Sequence, residues 1–249
     1  MGYELRKEDG VLLSKPSSGE KWSYFGETGP LHWGGACMTD TPDPYDHSSP
    51  LNVRHGLVSR DAAPSITYAT RPAPFMMVHN GHNVEVNASQ AGQSANTVRA
   101  LNDTFSLIQV HFHTPSEHWL AGQQYDFEAH IVHRSAASGK VLVLAILYQL
   151  APLAPRAAAP LTDLITAMPL KVGDQRPPLL LSMHPLFSDA LSRATATDAW
   201  RHYVGTLTTP PCTPGVEFFV STAVQPISRN QLAAFNARVP FNARPLQEL

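Results

Sequence analysis

Charge, long apolar runs and cysteine are all scarce in this sequence, and each scarcity excludes something. Only 15% of the 249 residues are Asp, Glu, Lys or Arg, and the formal net charge is -2. No segment clusters Lys and Arg, so the basic footprint expected by a nucleic-acid partner is missing. The longest apolar run, Val141-Leu-Val-Leu-Ala-Ile-Leu-Tyr148, is far too short to cross a bilayer and predicts a buried central strand. The start, Met1-Gly-Tyr-Glu-Leu-Arg-Lys-Glu-Asp9, lacks the apolar core of a secretory signal. That is expected either of an intracellular protein or of a chain whose export peptide has been removed. The two cysteines, Cys37 and Cys212, are too few for a thiolate-rich structural metal site. They are either buried free thiols, as in a reducing compartment, or one disulfide closing a very long loop.

Proline and glycine, by contrast, are plentiful, at 22 and 15. They cut the chain into short segments and argue against long helices. Strands are predicted over 65–70, 75–79, 83–87, 104–113, 127–134, 141–149, 203–206 and 216–222, many of them alternating with period two. Two helices are predicted. One spans 157–167 with Thr162 as an internal cap, and one spans 228–236, opening on the capping-box pattern Ser-Arg-Asn-Gln. The stretch 151–160 reads as a surface connection. No internal repeat is visible, and the length suits one mainly β domain with an irregular amino-terminal third.

Histidine carries the strongest chemical signal. In Phe105-Ser-Leu-Ile-Gln-Val-His-Phe-His113, strand alternation places Gln109, His111 and His113 on one face. Tyr125-Asp-Phe-Glu-Ala-His-Ile-Val-His133 repeats the pattern, with Glu128 and His130 sharing a face. If the two strands pair, three imidazoles converge with two hydrogen-bond acceptors beside them. Three protein ligands and an open fourth position suit a catalytic zinc. Gln109 and Glu128 are then placed to accept the second ring N–H of a ligating histidine. Singly, each of these is also an ordinary polar residue on a solvated strand. Thr114-Pro-Ser-Glu-His118 sets Glu117 next to the histidines, where alone it reads as a turn or cap residue. Gly205-Thr-Leu-Thr-Thr-Pro-Pro-Cys212 holds the Thr208 and Thr209 hydroxyls ahead of two prolines, either to orient a water or as part of a stiff loop. Val78-His-Asn-Gly-His82 presents His82 from an Asn-Gly turn, as a mobile imidazole of near-neutral pKa or a solvated bystander.

These segments join others in a fixed order: Trp22-x-Tyr24-x-Gly26-x-x-Gly29-Pro30-x-x-Trp33, Ser49-Pro50-Leu-Asn52, Asn80-Gly-His82, Gln109-Val-His-Phe-His-Thr-Pro-Ser-Glu-His118, Glu128-Ala-His130, Leu207-Thr-Thr-Pro-Pro-Cys212 and Asn242-Ala-Arg244-Pro245. The ordered set spans nearly the whole chain and resembles the α-class carbonic anhydrases, particularly the bacterial type. The resemblance implies a single catalytic domain over 1–249, with 1–20 a flexible amino-terminal extension. Its implied fold is mainly β, built on a large twisted, mostly antiparallel central sheet with a few short peripheral helices. The implied activity is reversible hydration of carbon dioxide to bicarbonate and a proton, by zinc-bound hydroxide with a histidine proton shuttle.

Carried over position by position, the resemblance assigns Zn2+ to His111, His113 and His130, with Gln109 and Glu128 as their hydrogen-bond partners. Thr208 would donate its hydroxyl proton to Glu117. His82 matches the proton shuttle, and Tyr24 and Asn80 match residues ordering the connecting waters. Val132, Val143, Leu207 and Val216 match the apolar wall for carbon dioxide, with Thr209 in the same cavity. Cys37 and Cys212 match a disulfide. Sulfonamide and anion inhibitors are expected, as are no nucleic-acid partner and no membrane span; a homodimer is compatible. A periplasmic or secreted location is implied, while the amino terminus leaves a cytoplasmic one open.

The sequence departs from the family pattern at Ser48, Glu85, Val204, Thr206 and Phe218. None is a metal ligand, so modest effects on turnover are expected. Two rival readings use the same residues: a zinc esterase, and a non-catalytic carbonic-anhydrase-like binding module. The second typically lacks a zinc-ligating histidine, and all three are present here.

Overall fold

The computed structural model describes residues 4–8, 11–15, 22–34, 37, 48–54, 63–151, 159–193 and 199–247, with backbone alone for 4–8, 11–15 and 192–193. One sheet of eleven strands organises them. In chain order these are β1 (Ser65–Thr67), β2 (Ala73–His79), β3 (Val84–Ala88), β4 (Thr97–Ala100), β5 (Asp103–His113), β6 (Phe127–Ser135), β7 (Val141–Leu150), β8 (Gln175–Leu181), β9 (Trp200–Thr206), β10 (Pro214–Ser221) and β11 (Gln225–Ile227). Across the sheet the order is β8-β2-β3-β5-β6-β7-β10-β9; β4 joins β1 to β5, and β11 lies along β7. Within this sheet, among the described residues, only the pairings of β7 with β10 and β11 are parallel. This is the mainly β, mostly antiparallel sheet that the sequence implied.

The two faces of the sheet do different work. Phe105, Leu107, Val110 and Phe112 of β5, Phe127 of β6 and Ile146 of β7 are fully buried in the larger core. Helices α2 (Ala159–Ala167) and α4 (Arg229–Asn236) cover it with Leu161, Leu164, Ile165 and Phe235. Strict alternation would put Phe105 and Leu107 on the histidine face. A register shift prevents that: Val132 pairs with Gln109 but His133 pairs with Leu107, leaving Ile108 as the extra residue of a bulge. Both apolar pairs therefore reach the core while Gln109, His111 and His113 keep the opposite face. There a smaller apolar cluster, including Val143, Val216 and Phe218, walls one side of a cavity.

Helix α4 begins as its sequence predicts. The Ser228 side chain accepts from the Gln231 N–H, and the Gln231 side chain accepts from the Ser228 N–H. Thr162 is not a cap: α2 begins at Ala159, and inside it Thr162 Oγ1 accepts from Gln231 Nε2 at 2.9 Å, tying the two helices together. Residues 152–158 of the expected connection and helix start lie outside the described residues.

Other elements were not predicted, among them the short strands β4 and β11, two helices and strand β8. Helix α1 (Gln90–Ala95) is short, holds Gly92 and is capped by Ser89. Helix α3 (Met183–Arg193) hides its start behind Pro185, which its first turn tolerates. Strand β8 contains Pro177 and Pro178, and it forms because it is an edge strand whose register shifts between Arg176 and Leu179. In the expected extension, Glu4–Glu8 pairs antiparallel with Val11–Lys15; residues 1–3, 9–10 and 16–20 lie outside the described set. No described helix is long and apolar enough to cross a membrane.

Candidate metal centre

Strands β5 and β6 pair so that His130 faces His111 and Glu128 faces His113. The imidazole centroids lie 5.0 Å (His111–His113), 5.2 Å (His111–His130) and 4.6 Å (His113–His130) apart. One nitrogen of each ring is held from behind. His111 Nδ1 meets Gln109 Oε1 at 2.8 Å, His113 Nδ1 meets the Asn242 carbonyl at 2.8 Å, and His130 Nε2 meets Glu128 Oε1 at 2.8 Å. The opposite nitrogens turn inward, and candidate ligand atoms of the three lie within 4.8 Å of one another. Both predicted supporting residues thus stand where strand alternation placed them. The Asn242 carbonyl was missed, because a backbone acceptor 129 residues away leaves no side-chain pattern to read.

The donor set fits a zinc ion. His113 Nε2 is buried without a hydrogen-bond partner, and so is Glu117 Oε2, 3.4 Å from it. Unsatisfied buried polar atoms cost about 1–3 kcal/mol each, a cost that a cation at the imidazole nitrogens offsets. Three nitrogens and room for a fourth ligand match catalytic zinc geometry. Burial, reinforced by the neighbouring imidazoles, holds the His111 pKa well below its ordinary value; burial also lowers that of His113. For His130, burial opposes protonation but the Glu128 and Glu117 carboxylates outweigh it and raise the pKa.

Glu128 is the anchor beneath the site. Its Oε2 accepts from the Glu117 and His118 N–H groups at 2.7 and 2.8 Å, and its Oε1 meets His118 Nδ1 at 2.6 Å as well as His130. Burial alone would raise its pKa; attraction to His118 and His130 overcomes that, and the group is held well below the usual carboxylate range. The network continues from His118 Nε2 to Tyr203 Oη at 2.6 Å and from Tyr203 to Ser49 Oγ at 2.9 Å. Ser49 and Thr206 bond reciprocally, each backbone N–H donating to the other's hydroxyl at 3.1 Å. Thr206, a departure from the family pattern, therefore keeps its hydroxyl in use. His118 and Tyr203 were not singled out from sequence, since neither carries a distinctive spacing.

A cavity of about 560 Å³ opens over the histidines. Val132, Val143, Leu207, Val216 and Phe218 line it, as do Thr208, Thr209, Tyr24, Asn80 and His82. Phe218 lies face to face with Tyr203, 5.1 Å between centroids, so this replacement preserves an aromatic wall. Glu85 is buried and accepts from Asn80 Nδ2 at 2.9 Å. Asn80 Oδ1 accepts from the His82 and Asn83 N–H groups, making Asn80 a turn-forming residue first.

Two expectations are corrected. Thr208 makes no hydrogen bond to Glu117: Oε1 of that carboxylate takes the Arg244 N–H at 2.9 Å, and Oε2 has no partner. His82 is not a free imidazole of near-neutral pKa. It is half-buried and stacked on Trp22, 3.7 Å between centroids, and burial, then nearby positive charge including His79, lowers its pKa to about 4. The disulfide Cys37–Cys212 is formed, and it lies in a buried cluster with Trp22, Tyr24 and Trp33.

A family model for the eukaryotic-type carbonic anhydrases matches residues 28–248. A carbonic anhydrase of Pectobacterium carotovorum is 30% identical over 235 residues, covering 92% of this chain and 87% of that protein. Among solved structures, the α-carbonic anhydrase of Photobacterium profundum is 34% identical with a TM-score of 0.73, covering 92% of this chain and 97% of the other. The α-carbonic anhydrase of Thermovibrio ammonificans, solved with the inhibitor sulfanilamide, is 30% identical with a TM-score of 0.73 and covers 93% and 97% respectively.

Proposed function

Since this chain belongs to the eukaryotic-type, or α, carbonic anhydrase family and is a carbonic anhydrase that hydrates carbon dioxide, we propose that it does so with zinc at His111 Nε2, His113 Nε2 and His130 Nδ1 and with His82 carrying the proton away. The observation that carries this reading is the three inward-facing nitrogens, each backed by a fixed acceptor on its other side. Bound there, zinc supplies the positive charge that makes a ligated water acidic, with a pKa of about 7 that is long established for carbonic anhydrases.

The chain's own groups supply the rest. Gln109, the Asn242 carbonyl and Glu128 fix which nitrogen each imidazole presents. Val132, Val143, Leu207 and Val216 offer carbon dioxide an apolar surface beside the centre, with Thr209 on the same wall. Glu117 Oε2 is an open acceptor under the histidines. Thr208 lines the same cavity without bonding that oxygen in this structure; it is assigned to turn its hydroxyl onto Oε2 when the centre is filled, leaving its lone pairs to orient the attacking water. Tyr24 and Asn80 border the route on which His82 passes the released proton to solvent.

The same cavity is assigned to sulfonamide and anion inhibitors, a reading supported by the sulfanilamide complex of the Thermovibrio ammonificans relative. A disulfide between Cys37 and Cys212 supports an oxidising compartment, periplasmic or extracellular.

Stopped-flow carbon dioxide hydration tests the reading. Removing metal with a chelator abolishes activity, and one equivalent of zinc restores it. Full activity in protein shown by elemental analysis to hold no zinc overturns the metal assignment.

A further inference from the structure

The cavity wall carries a charge that this reaction does not use. On β6 every second residue faces the site, giving Glu128, His130, Val132 and Arg134 in order. At about 3.3 Å per residue, Arg134 stands about 13 Å along the strand from His130, toward the open end. It is exposed and lines the cavity alongside Ser138 and Lys140. Both neighbours are engaged: Lys140 Nζ lies 3.0 Å from Glu217 Oε1, and Ser138 donates to Asp103 Oδ2 at 2.7 Å. The Arg134 side chain has no hydrogen bond or ion pair among the described residues. The carboxylate lining the cavity, Glu85, sits on β3, two strands from β6.

We propose that Arg134 is an anion-recognition subsite at the cavity mouth. It selects elongated ligands whose head occupies the histidine centre and whose far end carries a carboxylate. This rests on reading the centre as one that accepts sulfonamides. The head fixes the ligand axis, and the apolar wall at Val132 takes an aryl spacer. A para substituent then projects toward the guanidinium, whose planar fork matches a carboxylate. Lys140 is a poorer candidate because Glu217 already neutralises it.

Calorimetric titration of the zinc-loaded full-length enzyme tests this with three probes: benzenesulfonamide, 4-carboxybenzenesulfonamide and 4-(aminomethyl)benzenesulfonamide. Arg134→Gln should weaken the carboxylate probe by about two- to fivefold, the range for an exposed ion pair, and leave benzenesulfonamide unchanged. That loss should shrink in 1 M salt, where the screening length is about 3 Å. Arg134→Lys should keep part of the preference, and Arg134→Glu should shift it toward the aminomethyl probe. If the three probes respond alike to Arg134→Gln, or the carboxylate probe does not weaken, the subsite is overturned and the metal centre stands. If wild-type enzyme binds none of them, both fail.

Discussion

Trp22 lies flat against His82, and a proton carrier held there at a pKa of about 4 is neutral at physiological pH and a poor acceptor. Relay therefore requires the imidazole to leave the indole for water, where its reference pKa is about 6.5. Trp22→Leu should raise the His82 pKa toward that value, read from the imidazole C2–H shift in an NMR titration; a midpoint still near 4 would show that the indole is not what depresses it. His82→Ala should lower maximal turnover, with small imidazole buffers restoring much of the rate. No restoration after a genuine fall would remove His82 from the pathway. A second buried imidazole governs acid stability. His133, bonded to Tyr68 Oη at 2.9 Å, has its pKa lowered by burial to about 3. Between that value and about 6.5 the unfolded chain binds more protons than the folded one, so this contribution is intact above pH 6.5 and is lost as pH falls toward 3. The slope is at most about 1.4 kcal/mol per pH unit. Replacing the pair together, Tyr68→Phe with His133→Leu, should flatten the fall in urea-unfolding free energy between pH 6.5 and 4. An unchanged slope would show that other groups account for it.

At the scale of elements, period-two patterning made β5 and β6 legible, because each has one face toward a core and one toward the cavity, while β7 was legible as a continuous apolar run buried on both faces. Alternation made the centre legible for the same reason: His111, His113 and His130 share a face only if both segments are strands. The bulge at Ile108 was not legible, since one extra residue leaves no compositional mark; its signature is the switch from Phe105 and Leu107 to Val110 and Phe112 on the core side. Strand β8 was hidden by Pro177 and Pro178, whose missing N–H groups an edge position tolerates. The Arg244 contact to Glu117 was hidden by distance, since it joins residues 127 apart through a backbone N–H. Capping was legible at α4, where the Ser228 and Gln231 pattern forms its box, and not at α2, where Thr162 lies inside the helix. Ser228→Ala removes the acceptor for the Gln231 N–H at 3.2 Å and should cost about 0.5–2 kcal/mol. For a chain of this size that lowers Tm by about 2–4 °C per kcal/mol. Differential scanning calorimetry checks this, and an unaltered Tm would mean that solvent replaces the cap at no cost.

Across the whole molecule, the Cys37–Cys212 bond spans a sequence separation of 175 and fastens the amino-terminal aromatic cluster to the loop carrying Thr208 and Thr209. Arg244 works alongside it. Its guanidinium donates to the Cys37 carbonyl at 2.8 Å and the Ser49 carbonyl at 2.6 Å, and lies 5.5 Å from the Trp33 ring centroid. Its backbone N–H meanwhile holds Glu117. The disulfide thus closes a shell around a centre whose ligands are fixed independently by β5 and β6. Those two contributions separate experimentally. Cys37→Ser with Cys212→Ser frees the unfolded chain from a very long closed loop, a loss of about 2–5 kcal/mol, and should lower Tm by roughly 5–20 °C. Zinc stoichiometry in the folded variant should remain one per chain, because no ligand lies on the released segments. Carbon dioxide hydration should fall further than zinc content, since Thr208 precedes Cys212 by only four positions. A variant with unchanged Tm would show that the packed aromatic cluster, not the covalent bond, fastens the shell; a variant that lost zinc would show that the sheet alone does not hold the centre.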